Sequence, residues 1–250
     1  MIIGAQFYTL RDFCKTPEAL AETMKRVADI GYTTIQLSGV CAYDPQWMAE
    51  ELKKDGLTCN LTHFDFNRIT NDTDAVVAEH NVYGCKYIGV GSMPGGVAHF
   101  DEFVERAKPA GKRIAELGSM LMYHNHNMEY TKRDGKTYME LLSELFAPEE
   151  LGFTLDTYWV KEGGFDPVEE VKRLKGRLPC VHFKDMKVMD DGSHRFSWVG
   201  GGCLDFEKII SAMEDAGTRY AFIEQDNCYG DDPMECLRLS YNYLHALGLN

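Results

Sequence analysis

The chain has 250 residues, 44% hydrophobic and 26% charged, with a formal net charge of −13, which is the size and balance of one globular domain with its own core. The acidic excess argues against nucleic acid or an anionic membrane as partner, since both are held by clustered Lys and Arg. No apolar run reaches the ~20 residues that span a bilayer.

The N-terminal stretch MIIGAQFYTLRD has no basic region before its apolar run and no small-residue cleavage site. It reads as a first strand over 2–9, not as a targeting segment. A helix follows over 17–31 (PEALAETMKRVADIG), then a strand over 33–38. The charge-dense EELKK at 50–54 reads as a solvated helix face. Strand patterns recur at 57–64 and 86–92, and a long helix pattern covers 100–118. Further strands are predicted at 119–124, 152–157 and 179–184. A helix over 206–217, an eighth strand over 220–225 and a last helix over 232–248 complete the chain. Gly31, Gly56, Gly84, Gly118 and Gly217 stand just past predicted helices, where a left-handed cap favours glycine.

Strands alternating with helices imply parallel βαβ units, and eight units of about 30 residues fill residues 1–250 as one (β/α)8 barrel. The competing architecture, a doubly wound open sheet, would want a glycine-rich phosphate loop after the first strand. FYTLRDF at 7–13 is not one. The eight cysteines include no C-x-x-C pair, and Cys59 and Cys180 lie inside apolar strands. They read as buried free thiols in a reducing, cytoplasmic setting.

Four strand ends carry the chemistry. LMYHNH (121–126), FTLDTYW (153–159), CVHFKD (180–185) and AFIEQD (221–226) each begin apolar and end in metal-binding or proton-moving groups. His124, Asp156, His182 and Glu224 hold the same place in four parallel strands, so a closed barrel brings them to one mouth. Imidazole and carboxylate together suit one divalent ion (Mn, Zn, Co, Fe or Mg) with positions left open for substrate oxygens. Taken singly, His124 reads equally as a structural histidine, Asp156 as a helix cap and Glu224 as the partner of an arginine.

Strand alternation lets His126 point the same way as His124, so either could ligate, and His126 could instead be a general base. Lys184 shares the parity of His182 and falls near substrate oxygens; its structural reading is an ion pair with Asp226 or Glu129. The loop 186–203 ends in Gly200, Gly201 and Gly202, whose N–H groups could meet an oxyanion or phosphate or serve as a hinge. Tyr8, His63 and Trp159 are predicted walls of a sugar pocket, with Arg195 a further substrate contact.

These residues resemble the xylose isomerase-like, or sugar phosphate isomerase/epimerase, (β/α)8 barrels. GAQFYTLRD, YHNHNMEY, LDTYWV, VHFKD, VGGGCLDF and IEQD come in that family's order along the whole chain. The Y-H-N-H strand is similar to the subgroup of inosose dehydratase-like proteins and 3-keto-sugar lyases. The resemblance implies His124, Asp156, His182 and Glu224 as metal ligands, and catalysis by His126, Lys184 or Glu224. It implies a metal-dependent sugar isomerase or epimerase working through an enediolate, or alternatively a dehydratase or lyase on an inosose or 3-keto sugar. An abasic-site endonuclease or a non-catalytic sugar-binding barrel are weaker readings, the first because of the charge. A small carbohydrate is the implied partner, and a homo-oligomer is left open.

Two positions depart from the family pattern. His124 stands where epimerases have one of two glutamates that exchange protons on opposite faces of the substrate, which favours an isomerase or lyase. Tyr158 stands where glycine is expected, and would narrow the pocket beside Trp159.

Overall fold

A computed structural model describes residues 1–250. Eight strands close a parallel barrel: β1 (Ile2–Gln6), β2 (Thr34–Leu37), β3 (Thr58–His63), β4 (Tyr87–Val90), β5 (Met120–His124), β6 (Leu151–Asp156), β7 (Cys180–Phe183) and β8 (Tyr220–Ile223). Each pairs with its neighbours in sequence, and β1 pairs with β8 to close the ring. The helices wrap the outside. They include α1 (Pro17–Ile30), α2 (Pro45–Asp55), α3 (Phe66–Asn71), α4 (Thr73–Val82), α5 (Phe100–Glu116), α6 (Tyr138–Leu145), α7 (Thr157–Glu162), α8 (Pro167–Arg173), α9 (Phe206–Asp215) and α10 (Pro233–Ala246).

The helices start where the sequence supplies a cap. Thr16, Asp44, Asp166 and Asp232 accept backbone N–H groups of α1, α2, α8 and α10, and each is followed by proline at the first helical position. Gly56 closes α2 at φ +68°, a backbone angle at which a side chain would be strained. Fifty-six buried apolar residues form the core between barrel and helices.

A second, smaller cluster fills the barrel itself: Leu61, Met122, Cys180, Tyr220 and Phe222. Leu61, Met122, Cys180 and Phe222 lie two residues before His63, His124, His182 and Glu224. Strand side chains alternate with period two, so the same inward face that packs the barrel floor presents polar groups one layer higher. Phe222 packs so closely on the neighbouring strand that a Cβ on Gly4 would lie 2.7 Å from its ring. This apolar layer lies beneath the polar one.

Two features differ from the periodicity. The first strand stops at Gln6 instead of running to residue 9, because the Gln6 side chain accepts the Tyr8 N–H and starts a 3-10 helix over Phe7–Phe13. Two short hairpins also appear, one around Asp134–Gly135 and one pairing Asp185–Val188 with His194–Ser197. The second arches over the mouth. All eight cysteines are free and six are buried. No helix is long and apolar enough to cross a membrane.

Candidate active site and metal centre

His124 and Asp156 end β5 and β6, His182 is the penultimate residue of β7 and Glu224 follows β8, and one ligand atom from each falls within 4.8 Å of the others. All four are buried. The expected convergence of strand ends is therefore what the fold produces.

Each of the four has one polar atom tied away from the centre and one aimed into it. His124 Nδ1 donates to the Gly91 carbonyl at 2.8 Å, leaving Nε2 3.1 Å from Asp156 Oδ2. A Cβ on Gly91 would sit 3.0 Å from the His63 ring, so this close approach wants glycine. Asp156 Oδ1 accepts the Trp159 N–H and caps α7, while Oδ2 faces both histidines. Its cap role and its centre-facing role thus coexist, one on each oxygen. His182 Nε2 is 2.6 Å from Gln36 Oε1, which leaves Nδ1 3.0 Å from Glu224 Oε2. Glu224 Oε1 accepts from Gln6 Nε2 at 2.7 Å; no arginine pairs with it.

This wiring is the fit test for a metal. A histidine that donates through one nitrogen presents a lone pair at the other. Here both lone pairs point at carboxylate oxygens at 3.0–3.1 Å. His182 Nδ1 is buried, and the contacts of the buried Glu224 Oε2 are this imidazole at 3.0 Å and the Lys184 ammonium at 2.7 Å. Lone pairs facing one another in the dry interior favour a cation among them, and the outer partners are the kind that orient metal ligands. The donor set fits a divalent ion.

Lys184 brings a cation of its own. Its Nζ, 1% exposed as a side chain, lies 2.9 Å from Asp156 Oδ2, 2.7 Å from Glu224 Oε2 and 3.1 Å from Asp226 Oδ1. Of its two expected structural partners, Asp226 is met and Glu129 is not. Burial works against the ammonium, but the three carboxylates hold its pKa above the ordinary lysine value. Burial also opposes charge on Asp156 and Glu224, yet Lys184 and the histidines keep both well below the carboxylate range. Asp226 is pushed up to about 6 by burial and by Glu224 beside it.

A cavity of about 350 Å³ opens above the ligand set, lined by Tyr8, Ser38, His63, Ser92, His126 and Asp226 among others. A second, of about 380 Å³, shares Ser38, Gly39 and His63 with it and runs out between β2, β3 and α4 past Tyr43 and Tyr83. His126 lies just beyond β5, so its direction is set by a turn and not by the strand pleat. Its N–H donates to the buried Glu129, which also receives the Tyr123 hydroxyl. The imidazole sits 4.8 Å from the His124 ring and 5.2 Å from Trp159, with Nδ1 buried and unpartnered. Burial, with His124 and Lys184 nearby, pushes its pKa down to about 3, not the ordinary value that the sequence suggests.

Four expectations are corrected. Arg195 is exposed on the outer hairpin, with its guanidinium 4.9 Å above the Tyr229 ring, and does not line the cavity. Tyr158 does not narrow the pocket; it is buried against Phe196 of the hairpin, ring to ring at 4.4 Å. The N–H groups of Gly200 and Gly202 are not free for an external anion, because both donate to Asp185 Oδ2 at 3.0 and 2.9 Å. Tyr8 and His63 line the cavity as expected; Trp159 does not, and packs behind His126 with ring centroids 5.2 Å apart. Gln6, Gln36 and Gly91 carry roles that the sequence reading does not assign.

Comparison with known proteins agrees with this geometry. The model of the xylose isomerase-like TIM barrel family matches residues 24–238. An inosose dehydratase of Geobacillus kaustophilus is 25% identical over 233 residues, covering 77% of this chain and 75% of that protein. A sugar phosphate isomerase/epimerase from Parabacteroides distasonis superposes with a TM-score of 0.80 at 21% identity, over 98% of this chain and 93% of its own. The probable 3-DHS dehydratase involved in petrobactin synthesis from Bacillus anthracis gives 0.74 at 17%, over 98% and 99%. With the family model spanning most of its length, the chain belongs to the xylose isomerase-like TIM barrel family.

Proposed function

We propose that the protein is a divalent-metal-dependent lyase that removes water from a small keto-polyol of the inosose or 3-keto-sugar kind. The observation that carries this reading is the pair of buried imidazole lone pairs facing carboxylate oxygens at the floor of a polar cavity. A bound ion (Mn, Zn, Co, Fe or Mg) would supply Lewis-acid polarisation of a substrate carbonyl. Similarity to inosose dehydratases supports the same direction.

The chain's own groups divide the remaining work. Elimination breaks a C–H bond next to the carbonyl and the C–O bond of the hydroxyl one carbon further, and the proton leaves with that hydroxyl as water. His126 is neutral and lines the cavity, so it accepts the C–H proton. A lowered pKa makes the resulting imidazolium a strong acid, which suits returning the proton to a poor leaving group. Lys184, held charged by its three carboxylates, keeps its proton. Tyr8 and His63 position the ring, with Trp159 behind His126.

A sugar isomerase or epimerase using the same enediolate is the second reading. Glu224 would then be the base, but the glutamate that would face it is His124 here, so only one side carries a carboxylate for proton exchange. The discriminating experiment follows an inosose, 3-keto sugars and ketoses by NMR in D2O with chelated protein and added Mn²⁺. Loss of water from the product supports the lyase. Deuterium incorporation with an inverted or moved carbonyl and no water loss supports the isomerase. Asp156→Ala and His182→Ala should lose both ion and turnover; full metal occupancy in both would refute the ligand set.

A further inference from the structure

Lys184 occupies the same two oxygens an ion would need. Asp156 Oδ1 and Glu224 Oε1 are spent on the Trp159 N–H and Gln6. That leaves Asp156 Oδ2 and Glu224 Oε2 as the inward pair, and the Lys184 ammonium lies 2.9 and 2.7 Å from them. Metal–carboxylate bonds are about 2.0–2.2 Å long. An ion bonded to both oxygens would share them with Nζ, and like charges in a buried site repel.

The same ammonium has a third partner. Asp226 reaches it with both oxygens, at 3.1 and 3.2 Å, yet stands outside the four-residue ligand set and lines the cavity. The Trp159 and Phe196 rings lie 5.5 and 5.6 Å from Nζ and enclose it on its other side. Three ionised carboxylates and one ammonium sum to −2 with neutral imidazoles, and a divalent ion brings this to zero.

We propose that Lys184 and the metal ion hold Asp156 and Glu224 by turns. The ammonium bridges the two carboxylates while the ion is away, and withdraws onto Asp226 when the ion enters. Lys184 is therefore an internal competitor that sets the metal affinity, and Asp226 is the acceptor that makes loading feasible. This rests on the metal reading above.

The test is a thermodynamic cycle read as Mn²⁺ affinity by chelator competition, with no need for turnover. Lys184→Met removes the competitor and should tighten binding by about 10- to 100-fold, the range over which neighbours of a ligand set act. Asp226→Asn leaves the ammonium on the ligands and should weaken binding about as much. In the double variant the Asp226 change should have no further effect. If Asp226 only attracted the ion directly, Asp226→Asn would weaken binding equally in both backgrounds, and that result overturns the proposal. Unchanged or weaker binding in Lys184→Met overturns it too. Wild type that binds no ion at all refutes the metal reading instead. Lys184→Met leaves two buried carboxylates without a counter-charge, so its metal-free form should melt lower than wild type and recover with Mn²⁺. If it cannot be purified metal-free, Lys184→Gln enters the same cycle with the same criteria.

Discussion

Gln36→Leu tests the ligand set through a residue that touches no ion. Gln36 is fully buried on β2, and its Oε1 receives His182 Nε2 at 2.6 Å. That bond keeps the His182 proton on Nε2 and the Nδ1 lone pair turned toward Glu224 Oε2, 3.0 Å away. Leucine has nearly the same size but cannot accept. The proton then moves to Nδ1 and donates to Glu224, closing the metal's place. Loss of such an outer partner lowers metal affinity by about 10- to 100-fold, or about 1.4–2.7 kcal/mol at about 1.36 kcal/mol per tenfold.

Metal-free stability should change much less. An unsatisfied buried N–H costs about 1–3 kcal/mol, but the tautomer shift re-pairs His182, and the substitution removes the unpartnered Gln36 Nε2. The metal-free melting temperature should therefore fall by only a few degrees, at roughly 2–4 °C per kcal/mol for a chain of this size. Mn²⁺ affinity by chelator competition, together with thermal melts in EDTA, separates the two effects. Gln36→Glu keeps an acceptor and should retain the ion. Affinity within twofold of wild type in Gln36→Leu would show that His182 does not ligate through Nδ1, and the argument from facing lone pairs would fall.

Other outcomes follow from the same geometry. His126→Gln should keep its ion and lose about 10²–10⁴-fold in kcat; deuterium exchange into substrate that survives in this variant would assign the base to Glu224 or Lys184. Because the His126 pKa is lowered to about 3, removing it should not delete an inflection near pH 6.5 from the rate profile, and a lost inflection there would contradict the burial argument. His80 is buried between the Val76 carbonyl and Thr62, and burial lowers its pKa to about 4. Its neutral form contributes stability that is complete above pH 6.5 and is lost as pH falls toward 4, about 3 kcal/mol in all; urea unfolding at pH 7.5 and 4.5 should show a shallower loss in His80→Gln, and an unchanged slope would refute it. An abasic DNA duplex should not bind at ~150 mM salt, given the charge of −13, and measurable affinity would reverse that expectation.

The barrel and the four ligand positions were legible because each of the last four strands is an apolar run that ends in chemistry. The same rule applied to GAQF and TIQL would have found Gln6 and Gln36, which end β1 and sit near the end of β2 at the same layer. Gly91 was not legible, since its part is played by a carbonyl that every residue carries. Asp226 was read as a partner for Lys184, but the lysine's reach into the ligand set depends on a side-chain path that spacing does not encode. Arg195, Tyr158 and the three glycines were misplaced for one shared reason. Periodicity says nothing about how a loop folds, and here the loop forms a hairpin that packs Tyr158 and carries Arg195 outward.

The cradle around Asp185 bears on how quickly the mouth responds. Asp185 receives the N–H groups of Met186, Gly200, Gly202 and Leu204. The preceding residue, Lys184, has its N–H on the Thr157 hydroxyl at 3.0 Å and its carbonyl receiving that hydroxyl at 2.8 Å. The peptide that carries the lysine is thus anchored on both sides, and only the side chain is left to move. Withdrawing it calls for a change of rotamer, not the microsecond-to-millisecond rearrangement of a loop or lid. Ion uptake should therefore run as a single phase whose rate rises in proportion to metal concentration, with no plateau set by a slow opening step.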